Sequence, residues 1–145
     1  MQDLSMYFQM VEECIALLGV DPATIRGEKP GQWSLQKGSA AVWVDVFWME
    51  NNNCGYIQMM SPIIEVPQNN TLAFYQEILQ TNHNLFGVGF TQYDKWVYIK
   101  GIREVENLQK EEITAMMNRV GVYADEYDDI FKQKYQATSF RKSDT

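Results

Sequence analysis

Residues 32–49 read QWSLQKGSAAVWVDVFWM, and their period decides the fold. Apolar Trp33 and Leu35 alternate with polar Ser34 and Gln36, the period of a half-buried strand. Gly38-Ser39 is a tight-turn pair. The run from Ala41 to Met49 is rich in Val and Trp, which favour a pleated backbone. A hairpin is therefore predicted. Asn51-Asn52-Asn53-Cys54-Gly55 reverses the chain again, because Asn and Gly tolerate positive φ. A third strand follows from Tyr56 to Val66. Pro62 lacks an N–H, which predicts an interruption or an edge position there.

Helical spacing brackets these strands. Upstream, Leu4, Phe8, Val11, Ile15 and Leu18 recur on one stripe, with Tyr7 and Cys14 on its flanks. Gly19 supplies the stop, and Asp21-Pro22 opens a loop that runs through Gly27, Pro30 and Gly31. Downstream, Asn69 or Asn70 caps a second helix carrying Leu72, Tyr75, Ile78 and Leu79, which fades near His83. Short strands from Phe86 to Tyr93 and from Lys95 to Arg103 turn at Asp94-Lys95. Asn107 then caps one long helix with the stripe Ile113, Met116, Met117, Val120, Ala124, Tyr127, Phe131 and Tyr135. Its register passes through Gly121 unbroken, although glycine costs about 1 kcal/mol there. The predicted fold class is α+β. It is a two-layer sandwich in which a mostly antiparallel five-stranded sheet packs on helices, in the order α-β-β-β-α-β-β-α. Residues 1–135 make one domain, and residues 136–145 a polar C-terminal tail.

Composition narrows the function. Hydrophobic residues are 46% and charged residues 21%, neither a disordered nor a membrane composition. The strongly apolar stretches fall far short of the roughly 20 residues that span a bilayer. The opening Met-Gln-Asp-Leu has no signal-peptide core, which predicts a cytoplasmic protein. A net charge of −7 repels phosphate backbones, and no basic patch offsets it, so nucleic acid is not an expected partner. Cys14 and Cys54 do not make a disulfide framework.

Alternation gives the sheet two unlike faces. Val42, Val44, Val46 and Trp48 fall on one, and Trp43, Asp45, Phe47 and Met49 on the other. The third strand divides Ile57, Met59 and Ile63 from Tyr56, Gln58 and Met60. The last divides Val97 and Ile99 from Trp96, Tyr98 and Lys100. The aliphatic face suits the first and last helices. The aromatic face has two readings: helices or loops cover it within the chain, or it meets another chain. On the second reading Trp43, Phe47, Tyr56, Met60, Trp96 and Tyr98 bind a partner, since aromatic residues and Met are enriched in interfaces. A dimer contact would use Phe74, Tyr75 and Ile78 of the second helix, or a strand edge.

Groups that carry chemistry are sparse. His83 is the one histidine and has no second ligand at helical or hairpin spacing; a helix C-terminus suits it. Asp45, mid-strand, is either a buried acid or a partner of Lys100 or Arg103, and the ion pair is preferred. Asp125, Glu126, Asp128 and Asp129 lack the spacing of a calcium loop and read as a solvated helix face. Gly87 and Gly89 follow a helix, so they read as sites of close packing and not of phosphate binding. No catalytic, cofactor or metal residue is assigned.

The element order, Trp33-x-Leu35, Gly38-Ser39-Ala40, and the stretch from Ala124-Asp125-Glu126-Tyr127-Asp128-Asp129-Ile130 to Tyr135 together resemble the YbjN family. That family shares its fold with the type III secretion chaperones of the CesT and Syc class. The resemblance covers about residues 4 to 135. It implies a twisted antiparallel sheet on helices, no enzymatic activity and no cofactor. It also implies a homodimer that binds a protein or an extended peptide in the cytoplasm, as a chaperone or regulator. The alternative is a small-molecule or weakly catalytic domain, with a pocket between sheet and helices that uses Asp45, His83 or Tyr98.

Overall fold

The computed structural model describes residues 3–137. The elements are α1 (Ser5–Leu17), β1 (Gln32–Lys37), β2 (Ala40–Met49), β3 (Cys54–Glu65), α2 (Thr71–Asn82), β4 (Gly89–Tyr93), β5 (Trp96–Glu104) and α3 (Lys110–Tyr135). The five strands form one antiparallel sheet in the order β1-β2-β3-β5-β4. The predicted class and element order are therefore observed. The first hairpin closes at the Lys37–Ala40 pair, with Gly38 at φ +60°. The next turn places Asn53 at φ +49°, the conformation its short polar side chain tolerates.

All three helices lie against the aliphatic face. Val42, Val44 and Val46 of β2, Ile57 and Met59 of β3, and Val97 and Ile99 of β5 are buried there. They meet Val11 and Ile15 of α1 and Ile113, Met117, Val120 and Phe131 of α3 in one continuous core. Helix α3 crosses β2, β3 and β5, and α1 packs beside it. Gly121 is where α3 comes closest to β1: an added Cβ would stand 2.9 Å from Lys37 Cβ. That close approach is why glycine sits in mid-helix despite its poor helix propensity.

Several sequence expectations are corrected. The chain does not leave β3 at Pro62, since the strand is central and runs through it, but the expected interruption is there in the ladder. Pairing of β3 with β2 ends at Met60, and a register shift between Pro62 and Ile64 absorbs the residue that cannot donate. Strand β4 starts at Gly89 and not at Phe86, since Gly87 takes φ +70° and Phe86 is left exposed. Helix α2 buries Phe74 and Ile78, while Leu72 is 82% and Leu79 is 70% exposed. Phe74 turns inward because two rings of α3 receive it: its centroid lies 5.5 Å from Phe131 and 5.1 Å from Tyr135. Leu18, taken as part of the α1 stripe, is exposed beyond that helix's end.

Helix α3 is continuous through Gly121, but its cap is Gln109 and not Asn107. The Gln109 and Glu112 side chains form a reciprocal capping box. Asp128, expected on a solvated face, is buried, and half-buried Asp125 accepts the Ser39 hydroxyl. Glu126 and Asp129 are exposed as expected. Most of the predicted tail, 138–145, lies outside the described residues.

Candidate functional site

Among the described residues, the other face of the sheet carries no helix. Its side chains can be mapped in rows from the strand registers. Ser34, Trp43, Met60, Lys100 and Gly89 form one row. Gln32, Asp45, Gln58 and Ile102 form the next. Phe47, Tyr56 and Glu104 form the row beyond. On the other side of the Trp43 row come Pro62, Tyr98 and Thr91, then Glu65, Trp96 and Tyr93.

All six residues expected to bind a partner, Trp43, Phe47, Tyr56, Met60, Trp96 and Tyr98, therefore lie on this one face. Each is half-buried, and none belongs to the core cluster. Four of the rings partly shield one another in pairs. The Phe47 and Tyr56 rings stack at 6.0 Å between centroids, and Trp43 and Tyr98 meet at 6.2 Å. Rings packed side by side in this way cannot move apart freely. They form a preordered apolar surface, which lowers the entropy lost when something lies on it.

Asp45 sits within this surface, between the Trp43 row and the Phe47 row. Burial pushes its carboxyl above the ordinary value, against a smaller opposing effect of a hydrogen bond with the Gln32 side chain. The expected ion pair with Lys100 or Arg103 is not formed. Arg103 is instead held by the Glu112 carboxylate and by the Glu104 and Glu106 carbonyls. Lys100 makes no ion pair among the described residues.

Both sheet edges are partly closed. At β4, the Asn82 side chain accepts from Phe90 N at 2.6 Å and donates to Phe90 O at 3.3 Å, taking the place of a neighbouring strand. Gly89 leaves room for that amide, since a Cβ would stand 3.3 Å from Asn82 Oδ1. At β1, Ile25 O accepts from Ser34 N at 2.9 Å, and Gly27 N donates to Gln32 O at 2.7 Å. Arg26 holds this segment to α1 through both Glu12 carboxylate oxygens, at 2.7 and 2.8 Å, and Trp33 Nε1 donates to the same carboxylate at 2.9 Å. The Arg26 guanidinium holds the Glu12 carboxyl below its usual range, with burial opposing it and the Trp33 donor adding to it. The far end of β1, at Gln36, lies beside an apolar cavity of about 150 Å³ lined by Leu18, Val20, Leu35, Val42 and Met117.

The residues expected at a dimer contact divide. Phe74 and Ile78 are in the core, and Tyr75 is half-buried, with its hydroxyl donating to Gln92 Oε1 at 3.0 Å. The outward apolar residues of α2 are Leu72 and Leu79, which the expectation left out. The residues of the small-molecule reading are not gathered. Asp45 and Tyr98 are on the face opposite the helices, and His83 is the exposed C-cap of α2. Cys14 is buried and Cys54 half-buried, and both thiols are free. Burial pushes both thiols above the usual range, and the carboxylates of Glu104 and Glu106 add to this at Cys54. No helix among the described residues is long and apolar enough to cross a membrane.

The sheet thus carries helices on one face and aromatic rings on the other. The chain belongs to the family described as T3SS (YopN, CesT) and YbjN peptide-binding chaperone 1, whose model matches residues 6–142. Two solved structures share the fold. The crystal structure of the ExsC-ExsE complex aligns with a TM-score of 0.66 at 13% identity, over 89% of this chain and 96% of that one. The crystal structure of YbjN, a putative transcription regulator from E. coli, aligns with a TM-score of 0.54 at 14% identity, over 94% and 96%. No curated protein matches the sequence.

Proposed function

We propose that this protein is a non-enzymatic, cytoplasmic chaperone or regulator that binds an extended segment of another protein on its open aromatic face. The observation that carries this reading is the half-exposed set of Trp43, Phe47, Tyr56, Met60, Trp96 and Tyr98, all on the face that the helices leave bare. Membership of a peptide-binding chaperone family supports it. So does the likeness to a structure solved as a complex of two proteins.

The protein acts as a homodimer in this proposal. Leu72 and Leu79, outward on α2, are the side chains best placed for the contact. Leu72→Ser with Leu79→Ser would then shift the sedimentation coefficient from dimer to monomer without lowering Tm. A monomeric wild type would remove the dimer from the proposal.

The open face is tested with a partner captured from the native cytoplasm and then purified. Trp43→Ala and Trp96→Ala should each weaken its binding at least tenfold while changing Tm by only a few degrees. Unchanged binding would refute the reading, and so would unfolding of both variants, which would make the rings part of the core.

The free end of β1 beside the 150 Å³ cavity supports a second contact. An extended segment could add there as a strand and place one aliphatic side chain between Leu18 and Met117. Leu18→Trp, at the exposed rim of the cavity, would fill it and weaken the same partner, and unchanged binding would remove this contact.

A further inference from the structure

We propose that the open face selects an extended segment in which one arginine or lysine lies between two apolar side chains, each two residues away. The inference rests on the reading of that face as a peptide-binding surface and names the chemistry of what it receives.

Asp45 and its neighbour Gln58 lie between a row headed by Trp43 and Met60 and a row headed by Phe47 and Tyr56. Successive outward residues of a strand are about 6.7 Å apart. An extended segment lying along β2 repeats that spacing, so its alternate side chains meet the Trp43 row, Asp45 and the Phe47 row in turn. Apolar side chains suit the two ring rows.

The position between them calls for a cation. Asp45 is half-buried, and among the described residues no lysine or arginine pairs with it. Its carboxylate has the Gln32 amide and unfilled acceptor positions. A guanidinium or ammonium placed there gains a charge-assisted hydrogen bond. It also comes within reach of ring faces on either side, where a cation is attracted to aromatic π-density at about 6 Å or less. Lys100, the cation of this face, stands in the Trp43 row on the far side of Met60, about 10 Å from β2 at ordinary strand spacing. The incoming charge is thus directed to the β2 side. The chain's net charge of −7 favours approach of a basic segment.

An acid on an open sheet face has another use, which is to keep that face from associating with itself. The test separates the two. A random peptide library is selected against the immobilised full chain. Recovered peptides should carry arginine or lysine with apolar residues two positions to either side. The best of them is then measured against wild type and Asp45→Asn, both as recovered and with its cation replaced by citrulline or norleucine. Asp45→Asn is isosteric and should remain folded, as checked by its melting curve. We expect it to weaken the cationic peptide about tenfold, the scale of a hydrogen bond to a charged group, and to leave the neutral peptide unchanged.

Binders with no cation bias, or an equal effect of Asp45→Asn on both peptides, would overturn this inference and leave the open face as a peptide site. No binder sensitive to Trp43→Ala would overturn the open-face reading itself. A wild-type dimer that Trp43→Ala converts to monomer would assign the face to a second copy of the chain, and the inference would fall.

Discussion

Replacing Gly121 with alanine sets two rules against each other. On an exposed helix the change stabilises by about 1 kcal/mol, because alanine restricts the unfolded chain and loses no side-chain freedom. Here the helix is α3 and the new methyl would point at β1. It would stand 2.9 Å from Lys37 Cβ and closer still to Lys37 Cγ, against an ordinary contact of 3.4–4 Å. Rotation about χ1 can swing Cγ aside, but Cβ is fixed by the strand, so the contact with it remains. Strand and helix must separate by at least the 0.5 Å between 2.9 and 3.4 Å. Overpacking of this kind costs about 1–3 kcal/mol. The cost exceeds the propensity gain, and a net loss of about 1 kcal/mol is expected. For a chain of this length that is a fall in Tm of about 4 °C. Urea denaturation should show a lower midpoint with an unchanged slope. Lys37→Ala, which removes Cγ, should return part of the loss in the double variant. A Gly121→Ala protein as stable as wild type, or more so, would refute the close approach of α3 to β1.

Other outcomes follow from ionisable groups. Asp45→Asn should raise Tm at pH 7, because burial disfavours the carboxylate in the folded state. The gain should fade as pH falls from the raised folded-state value toward the ordinary 3.8 and be gone below it, where both states are protonated, and a gain that persists there would count against it. Glu77 behaves in the opposite way. Burial works against its charge, but the Tyr135 hydroxyl and the Lys134 ammonium at 2.9 Å hold its carboxyl below the ordinary 4.5. Its contribution is present above pH 4.5 and lost as pH falls through the folded-state value. Glu77→Gln should therefore lower Tm at pH 7 and match wild type in acid. Tyr135, pushed up to about 12 by burial and by Glu77, should resist spectrophotometric titration until well above pH 10, the ordinary tyrosine value.

The strands were legible because alternation in β2 is nearly perfect. Each valine there is buried, and Trp43, Asp45 and Phe47 face out. The open face could be read for the same reason, since its residues occupy the alternate positions of β2, β3 and β5. Helix α2 was misread because it is apolar on two sides. Leu72, Tyr75 and Leu79 have helical spacing, and so do Phe74 and Ile78; nothing local decides which set turns inward. The decision is made by Phe131 and Tyr135, distant in sequence. Asp128 could have been found. It is four residues from Ala124 and three from Phe131, both on the buried stripe, and the abundance of acids around it hid its phase. That Asp45 is a face-exposed acid without a cation followed only from the registers, which send Arg103 to Glu112.

The amide of Asn82 bonded to both backbone groups of Phe90 has a consequence for life at high concentration. A sheet with a bare edge can copy itself, strand onto strand, into insoluble fibre. Asn82 occupies the rung at which the next molecule would begin, and Ile25 to Gly27 occupy rungs at the opposite margin. Growth in the sheet direction is hindered at one stretch of each edge, while the broad face stays available. Asn82→Ala would keep that face and lose one block, so its cost should be read as fibre seeding in a concentrated sample.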